Sequence, residues 1–156
     1  MLKKNVIIQP DLFETGFAVM HCDGASSGNP GKSGIGVAIT INEEDADRLG
    51  IKGDYRISEY IGIATNNVAE YTALIKGLEK ARSLGIRKIK VFMDSELLAR
   101  QINGLYRVRN EKLIPLWVQA KNILKDFDSY TVTHVPREMN KEADSLARRA
   151  VSRAAS

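Results

Sequence analysis

The sequence predicts an α/β fold in which a five-stranded mixed sheet carries helices on both faces. Three apolar or alternating segments follow one another early in the chain and predict three antiparallel strands. A segment with helical spacing then leads into a fourth strand, and a strand–helix–strand order indicates a parallel crossover. A fifth strand and a last helix complete the predicted order β-β-β-α-β-α-α-β-α.

Composition and charge are typical of a single globular domain. The 156 residues are 44% hydrophobic and 27% charged, and a chain of this length can bury a full core. The 23 Lys and Arg against 19 Asp and Glu give a net charge of +4, which is compatible with a polyanionic partner but does not require one. The chain has one Cys and no apolar run of the roughly 18 residues that a membrane span needs. We therefore expect a cytoplasmic protein that contacts no membrane.

The first part of the chain predicts an extension followed by a hairpin. Residues 1–14 form the extension, for which an edge strand, a surface tail and disorder stay open. A single domain is expected over residues 15–152. Residues 15–21 and 34–41 predict the first two strands, and the Gly, Asn and Pro residues between them predict a loop. Asp23 falls at the end of the first predicted strand.

The middle of the chain changes from strand to helix periodicity. The acidic, Gly-punctuated residues 42–53 predict a solvated connection, and alternation over residues 55–63 predicts the third strand. Apolar residues at helical spacing predict a helix over residues 68–84. Residues 88–93 predict the fourth strand, and residues 95–102 predict a short helix.

The last part of the chain predicts two helices and one strand. Pro115 is expected to open or bend a helix that continues to about Phe127. Residues 130–135 predict the fifth strand, which Pro136 stops. The final helix is predicted over residues 140–150.

Four carboxylates recur where predicted elements begin or end. Asp23 and Asp94 each end a strand, whereas Glu70 and Asp144 each fall in the first turn of a helix. If the first and fourth strands are neighbours, Asp23 and Asp94 come close together, and carboxylates held together need protons or cations. An all-oxygen cluster suits Mg²⁺ or Mn²⁺. Two such ions, about 4 Å apart, can activate water for phosphodiester hydrolysis.

Each acid taken alone also has a simpler interpretation. Asn66 or Asn67 is a predicted N-cap, and Glu70 then falls in a capping-box-like position three residues after Asn67. Asp94 could cap the short helix that follows it. Asp144 is also the kind of first-turn acid that the helix dipole favours.

Four segments in one order resemble the type 1 ribonuclease H family. These segments are Asp23–Gly31, Thr65–Tyr71, Asp94–Leu97 and Asn140–Ala147. The resemblance implies a ribonuclease H-like fold and a two-Mg²⁺ site on Asp23, Glu70, Asp94 and Asp144, with Mn²⁺ as an alternative ion. It implies cleavage of the RNA strand of RNA–DNA hybrids, leaving 5′-phosphate and 3′-hydroxyl ends. Double-stranded RNA stays open as a further substrate, and the protein is expected to be a monomer.

The resemblance also implies a set of substrate-binding residues. Asn29, Asn66 and Glu96 match positions that read the RNA strand, where the 2′-hydroxyl distinguishes RNA from DNA. Thr65 and Ser95 match positions that hold a phosphate of the DNA strand. The whole predicted set is Gly24, Asn29, Thr65, Asn66, Asn67, Ser95 and Glu96. Helix capping is the alternative interpretation for Thr65, Asn66 and Asn67.

The sequence departs from the family pattern before the last helix, where many members carry a Gly-rich loop with a catalytic His. Here the loop is the short segment 135–140. Counting back from Asp144 would assign that role to His134, but we expect His134 to lie in the strand. Arg137 or Glu138 then replaces it, and we assign the catalytic role to Arg137 because a guanidinium suits a phosphate.

The basic protrusion of the family is also reduced in this chain. Arg107, Arg109 and Lys112 are its candidate phosphate contacts, or else ordinary solvated charges, and Trp117 is expected in the core. Three other functions stay open: a non-catalytic binding module, a nuclease for another nucleic acid, and a domain of a reverse transcriptase. Retention of all four acids argues against the binding module.

Overall fold

A computed structural model describes residues 16–155, so the predicted extension over residues 1–14 lies outside the described residues. The strands are β1 (Phe17–Ser26), β2 (Gly31–Thr40), β3 (Asp54–Ala64), β4 (Lys88–Met93) and β5 (Ser129–His134). The helices are α1 (Glu43–Leu49), α2 (Asn66–Ser83), α3 (Glu96–Ile102), α4 (Ile114–Leu124) and α5 (Lys141–Ala155). A 3₁₀ turn, Arg137–Met139, precedes α5. None of the described helices is long and apolar enough to cross a bilayer.

The five strands form one mixed sheet in the order β3-β2-β1-β4-β5. The pairs β3–β2 and β2–β1 are antiparallel, whereas β1–β4 and β4–β5 are parallel. This arrangement confirms the predicted sheet of three antiparallel strands followed by parallel crossovers. It also confirms that the first and fourth strands are neighbours.

Helices cover both faces of the sheet, as predicted. Consecutive residues of a strand point to opposite faces, and Gly36 and Val37 of β2 illustrate this. A Cβ on Gly36 would lie 2.1 Å from the carbonyl oxygen of Ala143 in α5. Val37 instead faces Gly77 of α2, on the other side of the sheet. The missing side chain of Gly36 therefore lets α5 approach the sheet closely.

The core lies between the sheet and these helices, and the fourth helix contributes to it as expected. Leu74 and Leu78 of α2 are fully buried, as are Ile35 and Ile39 of β2. Trp117 packs against this cluster from α4 and donates from Nε1 to the carbonyl oxygen of Gln101 at 3.1 Å. Its position agrees with the prediction of a core residue.

The prediction of a loop throughout residues 42–53 is wrong, because α1 lies within it. Asn42 caps the helix by accepting a hydrogen bond from the N–H of Asp45 at 2.8 Å. Gly50 ends it in the left-handed conformation, with φ of 68°. The helix is short and acidic, so its caps carried more information than its weak apolar pattern.

Two predicted boundaries near the acids are also corrected, and with them the interpretation of Glu70. The first strand continues to Ser26, so Asp23 lies inside β1 and not at its end. Thr65, rather than Asn66 or Asn67, is the N-cap of α2 and accepts from the N–H of Val68. Glu70 is consequently the fifth residue of the helix, in the second turn, and the capping-box interpretation is wrong.

The last helix is longer than the predicted 140–150, because α5 continues to Ala155. Arg153 explains part of this extension, since its guanidinium donates to the carbonyl oxygen of Ser58 in β3 at 2.8 Å. The hydroxyl of Ser58 in turn donates to the carbonyl oxygen of Leu146 at 2.6 Å. These contacts hold the end of α5 on the edge strand of the sheet.

Candidate active site

The sheet brings Asp23 and Asp94 together as predicted. The parallel ladder pairs His21 of β1 with Phe92 of β4. Asp23 lies two residues after His21, and Asp94 lies two residues after Phe92. Their side chains therefore leave the same face of the sheet. Asp23 is buried, with 7% of its surface exposed.

The two other acids come from helices on opposite faces of the sheet. A Cβ on Gly24 would lie 2.4 Å from the backbone of Ala69, so the start of α2 sits against β1 and directs Glu70 towards Asp23. Carboxylate oxygens of Asp23, Glu70 and Asp94 all lie within 4.8 Å of one another. Asp144 approaches from α5, whose close contact with β2 at Gly36 places it next to Asp23.

All four acids line one cleft of about 520 Å³, which we call the acidic cleft. Its other polar lining residues are Ser26, Asn66, Asn67, Arg137 and Arg148, and Gly24 and Ala25 contribute backbone. The predicted four-acid cluster is thus a single site in the folded chain. Its roles in metal binding and catalysis stay predictions.

Burial and mutual repulsion perturb the protonation of the acids. Burial, and then the charges of Asp94, Glu70 and Asp144, raise the pKa of Asp23 to about 9. Burial and the charge of Asp94 raise the pKa of Glu70 to about 7, against the opposing charge of Arg137. The cluster therefore cannot hold all its negative charge near neutral pH without cations, and carboxylate oxygens are donors that fit Mg²⁺ or Mn²⁺.

Two arginines supply the positive charge of the acidic cleft. The Nε of Arg137 lies 3.9 Å from Oδ2 of Asp94, and 84% of the Arg137 side chain is exposed. The Nη2 of Arg148 lies 2.8 Å from Oδ2 of Asp144, one turn earlier in α5. The sequence prediction missed Arg148 as a site residue, although an acid four residues before an Arg on a helix is a recognisable pair.

The predicted substrate residues Asn29, Thr65 and Asn67 line a second, adjacent pocket of about 240 Å³. Lys112 and Asn110 line it too, so we call it the lysine pocket. The Oδ1 of Asn29 accepts a hydrogen bond from the N–H of Asn66 at 3.1 Å, which ties the β1–β2 hairpin to the start of α2.

Two serines of the β1–β2 hairpin hold Ala64, the residue before Thr65, in place. The hydroxyls of Ser26 and Ser33 both donate to the carbonyl oxygen of Ala64, at 3.1 and 3.0 Å. Because Ala64 ends β3, these bonds hold the first residues of α2 between the acidic cleft and the lysine pocket. Asn67 lines both.

Ser95 and Glu96 are held by local contacts at the start of α3. The hydroxyl of Ser95 caps the helix by accepting from the N–H of Leu98 at 3.2 Å. Arg100 donates to one carboxylate oxygen of Glu96 from Nε and Nη2, at 3.0 and 2.8 Å. These bonds hold the pKa of Glu96 below its ordinary value. The contacts of Ser95 and Glu96 with substrate stay predictions.

Comparison with known proteins places the chain in a family. Residues 21–150 match the family model described as reverse transcriptase-like. Ribonuclease HI of Halobacterium salinarum is 38% identical over 145 residues, which cover 93% of this chain and 68% of that protein. The chain belongs to the type 1 ribonuclease H family.

A solved structure supports the same assignment for the fold. The structure of LC11-RNase H1 in complex with RNA/DNA hybrid has a TM-score of 0.78 and 36% sequence identity, covering 89% of this chain and 99% of that one. A bifunctional protein of Mycobacterium tuberculosis is 39% identical over 88% of this chain. The chain spans only 36% of the length of that protein.

Residues 135–140 form a short loop between β5 and α5, as predicted. His134 is the last residue of β5, paired with Met93, which agrees with its predicted place in the strand. Arg137 lines the acidic cleft, whereas Glu138 of the same turn does not. His21, the other histidine, stacks on Phe92 with ring centroids 5.2 Å apart.

The three basic residues that the sequence offered as phosphate contacts lie in different places. Lys112 lines the lysine pocket beside Thr65. Arg107 lines a separate groove with Tyr106 and Trp117. Arg109 is exposed. Of the three, only Lys112 lines the pocket that contains predicted substrate residues.

Proposed function

We propose that this chain is an endoribonuclease that hydrolyses the RNA strand of RNA–DNA hybrids and leaves 5′-phosphate and 3′-hydroxyl ends. The observation that carries the proposal is the convergence of Asp23, Glu70 and Asp94, whose carboxylate oxygens lie within 4.8 Å of one another in an open cleft. A binding module would have no use for concentrated negative charge beside phosphates. Membership of the ribonuclease H family supports the same reaction.

The four carboxylates are the proposed holders of two divalent ions, Mg²⁺ or, as an alternative, Mn²⁺. Such ions, when bound, supply an activated water and stabilise the leaving oxygen of the phosphodiester. Asp23 is the central ligand in this proposal, since the other three acids all shift its pKa. The contribution of the chain is to hold these oxygens in place before any ion arrives.

Asn66 and Asn67 are the proposed contacts for the RNA strand. Both line the acidic cleft, next to Gly24 and within reach of a strand that crosses the four acids. An amide both donates and accepts, so it can bind a 2′-hydroxyl, the group that DNA lacks. Asn29 supports them by accepting from the N–H of Asn66. Glu96 is proposed as a further 2′-hydroxyl contact from α3.

The lysine pocket is the proposed seat for a phosphate of the DNA strand. Thr65 offers a hydroxyl that can donate outward while its oxygen caps α2, and Lys112 offers a charge. Ser95, the N-cap of α3, is proposed as a second hydroxyl contact to the DNA strand. These contacts position the duplex and carry no sequence information.

Arg137 is the proposed replacement for the histidine of other family members. Its exposed guanidinium is free to leave Asp94 and bind a phosphate oxygen near the acids. Arg148 provides a second positive charge in the cleft, paired with Asp144. A nucleic acid entering the cleft therefore meets two positive charges beside the carboxylates.

The proposal is tested with one labelled sequence presented as RNA–DNA hybrid, double-stranded RNA, single-stranded RNA and double-stranded DNA. Each substrate is incubated with Mg²⁺, Mn²⁺ or EDTA, and the ends of the products are mapped. Metal-dependent cutting of the hybrid's RNA strand with 5′-phosphate ends is the expected result. Binding of the hybrid with no cutting in any lane would instead support the binding module.

The remaining parts of the proposal concern a second substrate, the oligomeric state and the location of the protein. Cutting in the double-stranded RNA lane would add that duplex as a second substrate. Gel filtration of the protein tests the proposed monomer. A cytoplasmic location is proposed because the single cysteine, Cys22, is buried and unpaired, as in a reducing compartment.

A further inference from the structure

Asn140 is a buried amide four residues before Asp144, with 1% of its surface exposed. It follows the 3₁₀ turn and immediately precedes α5. Its side-chain Nδ2 donates to the carbonyl oxygen of Cys22 in β1 at 3.0 Å. Cys22 is the residue before Asp23, so this bond fixes the backbone from which Asp23 projects.

The backbone of Asn140 makes two further bonds to the acidic cleft. Its carbonyl oxygen accepts from the N–H of Asp144 at 3.1 Å, in the first turn of α5. Its own N–H donates to the carbonyl oxygen of Arg137 at 2.9 Å. One residue therefore joins the segments that carry Asp23, Asp144 and Arg137, although Cys22 and Asn140 are 118 residues apart in the chain.

The bond to Cys22 also fixes the orientation of the Asn140 amide. Its Oδ1 is buried and has no hydrogen-bond donor among the described residues. The amide cannot simply turn round, because Oδ1 would then face the carbonyl oxygen of Cys22.

We infer that Asn140 is a positioning residue, which sets the distance between the carboxylates of Asp23 and Asp144. The inference rests on the proposed function, in which both acids hold divalent ions. Asp23 comes from the sheet and Asp144 from a helix packed on it, so their separation depends on how α5 docks. The Asn140–Cys22 bond directly links β1 to the residue that precedes α5.

The inference is tested by Asn140→Ala, with Asn140→Leu as a second variant that fills more of the same volume. Asn103→Ala is the matched control. The Nδ2 of Asn103 also donates to a strand carbonyl, that of Val132 in β5 at 2.9 Å, but at a site away from the acids. Both alanine variants thus lose one amide-to-strand bond.

Four quantities are measured. The kcat and KM on the hybrid and the Mg²⁺ midpoint of activity are each measured well below the Tm of the variant, and the rise in Tm on adding Mn²⁺ is measured without substrate. For Asn140→Ala we expect kcat to fall roughly 10- to 100-fold, since small displacements of reacting groups have effects of this size. KM should stay within about twofold, because the substrate contacts are elsewhere. The rise in Tm with Mn²⁺ should shrink. Asn103→Ala should lower the basal Tm alone.

The inference is overturned if Asn140→Ala, or Asn140→Leu where the alanine variant does not fold, behaves like Asn103→Ala in kcat and in the metal-induced rise in Tm. Asp23→Asn is measured in parallel, so that a failure of the positioning role can be distinguished from a failure of the proposed four-acid site. Wild-type cleavage by Asp23→Asn would contradict the proposed four-acid site and also this inference. An inactive Asp23→Asn together with a normal Asn140→Ala would contradict only the positioning role of Asn140.

Discussion

Arg148 and Asp144 form an ion pair within one turn of α5, with Nη2 and Oδ2 2.8 Å apart. The fourth carboxylate of the acidic cleft is therefore already engaged by a cation of its own helix. Any divalent ion that binds Asp144 must compete with this guanidinium.

Removing Arg148 should strengthen metal binding. In Arg148→Ala we expect the Mg²⁺ midpoint of activity to fall by roughly two- to fivefold, because a nearby positive charge disfavours a divalent ion. The free energy of unfolding should change by less than about 1 kcal/mol, since the Arg148 side chain is 69% exposed. A Mg²⁺ titration of cleavage measures the shift. Arg149→Ala, the same charge change at an exposed neighbour, is the control; equal shifts in both variants would mean a general charge effect.

Asp94→Asn should abolish cleavage, by at least about 10³-fold, while binding of the hybrid persists. The reason is that the amide keeps the size of the side chain but loses the charge that holds a divalent ion. Single-turnover cleavage and a binding titration in Mg²⁺ measure the two properties. Asp47→Asn, on the exposed side of α1, should leave both unchanged. A fully active Asp94→Asn would show that the metal site lies elsewhere.

Arg137→Ala should lower kcat by roughly tenfold without unfolding the protein. Its side chain is 84% exposed and contacts Asp94 only at 3.9 Å, so the fold does not depend on it. The expected loss is that of one cation near the scissile phosphate. Glu138→Gln, in the same turn, is the control. If the kinetics of Arg137→Ala match those of the wild type, Arg137 is a loop residue with no part in catalysis.

Asp45 should contribute stability that is lost in acid. Burial alone would raise its pKa, but hydrogen bonds from the N–H of Gly16 and from Arg48 outweigh burial and hold the pKa below its ordinary value. Because the folded protein favours the ionised form, this stability is present above the unfolded pKa of about 3.9 and disappears as pH falls through the folded pKa.

The variant Asp45→Asn tests this linkage. At pH 7 it should be less stable by about 1–2 kcal/mol, roughly the difference between a charged and a neutral acceptor. The gap between variant and wild type should narrow as pH falls below the unfolded pKa of about 3.9, and it should close only below the lower folded pKa, where Asp45 is protonated in the folded protein. Urea unfolding at several pH values measures the gap. A gap that is constant with pH would mean that Asp45 acts through its shape and not its charge.

Most of the architecture could be predicted because it depends on local patterns. Alternation and helical spacing identified the five strands and four of the five helices, since each element must bury one face. The short helix α1 was missed, although Asn42 and Gly50 are recognisable caps, because its seven residues carry little apolar periodicity. The four acids were found because each belongs to a short segment that can be compared without knowing the fold.

The choice of N-cap for α2 shows where local reasoning stops. Thr65, Asn66 and Asn67 are all good capping residues, and nothing in their own chemistry selects one. Contacts from the β1–β2 hairpin select Thr65 as the N-cap. The hydroxyls of Ser26 and Ser33 hold the carbonyl oxygen of Ala64, and Asn29 accepts from the N–H of Asn66. Because Thr65 lies two residues before Asn67, Glu70 falls in the second turn of α2 and not at the capping-box position.

The sequence alone thus determined the elements, their order and the identity of the four acids, because those properties follow from residue type and spacing along the chain. Only the tertiary structure decided how close the acids come and what else surrounds them. Gly36 sets the approach of α5, and Asn140 reaches Cys22 across 118 residues. The docking of α5 also carries Arg148 into the cleft. Such contacts depend on the packing of elements distant in the chain, and no periodicity along the sequence encodes them.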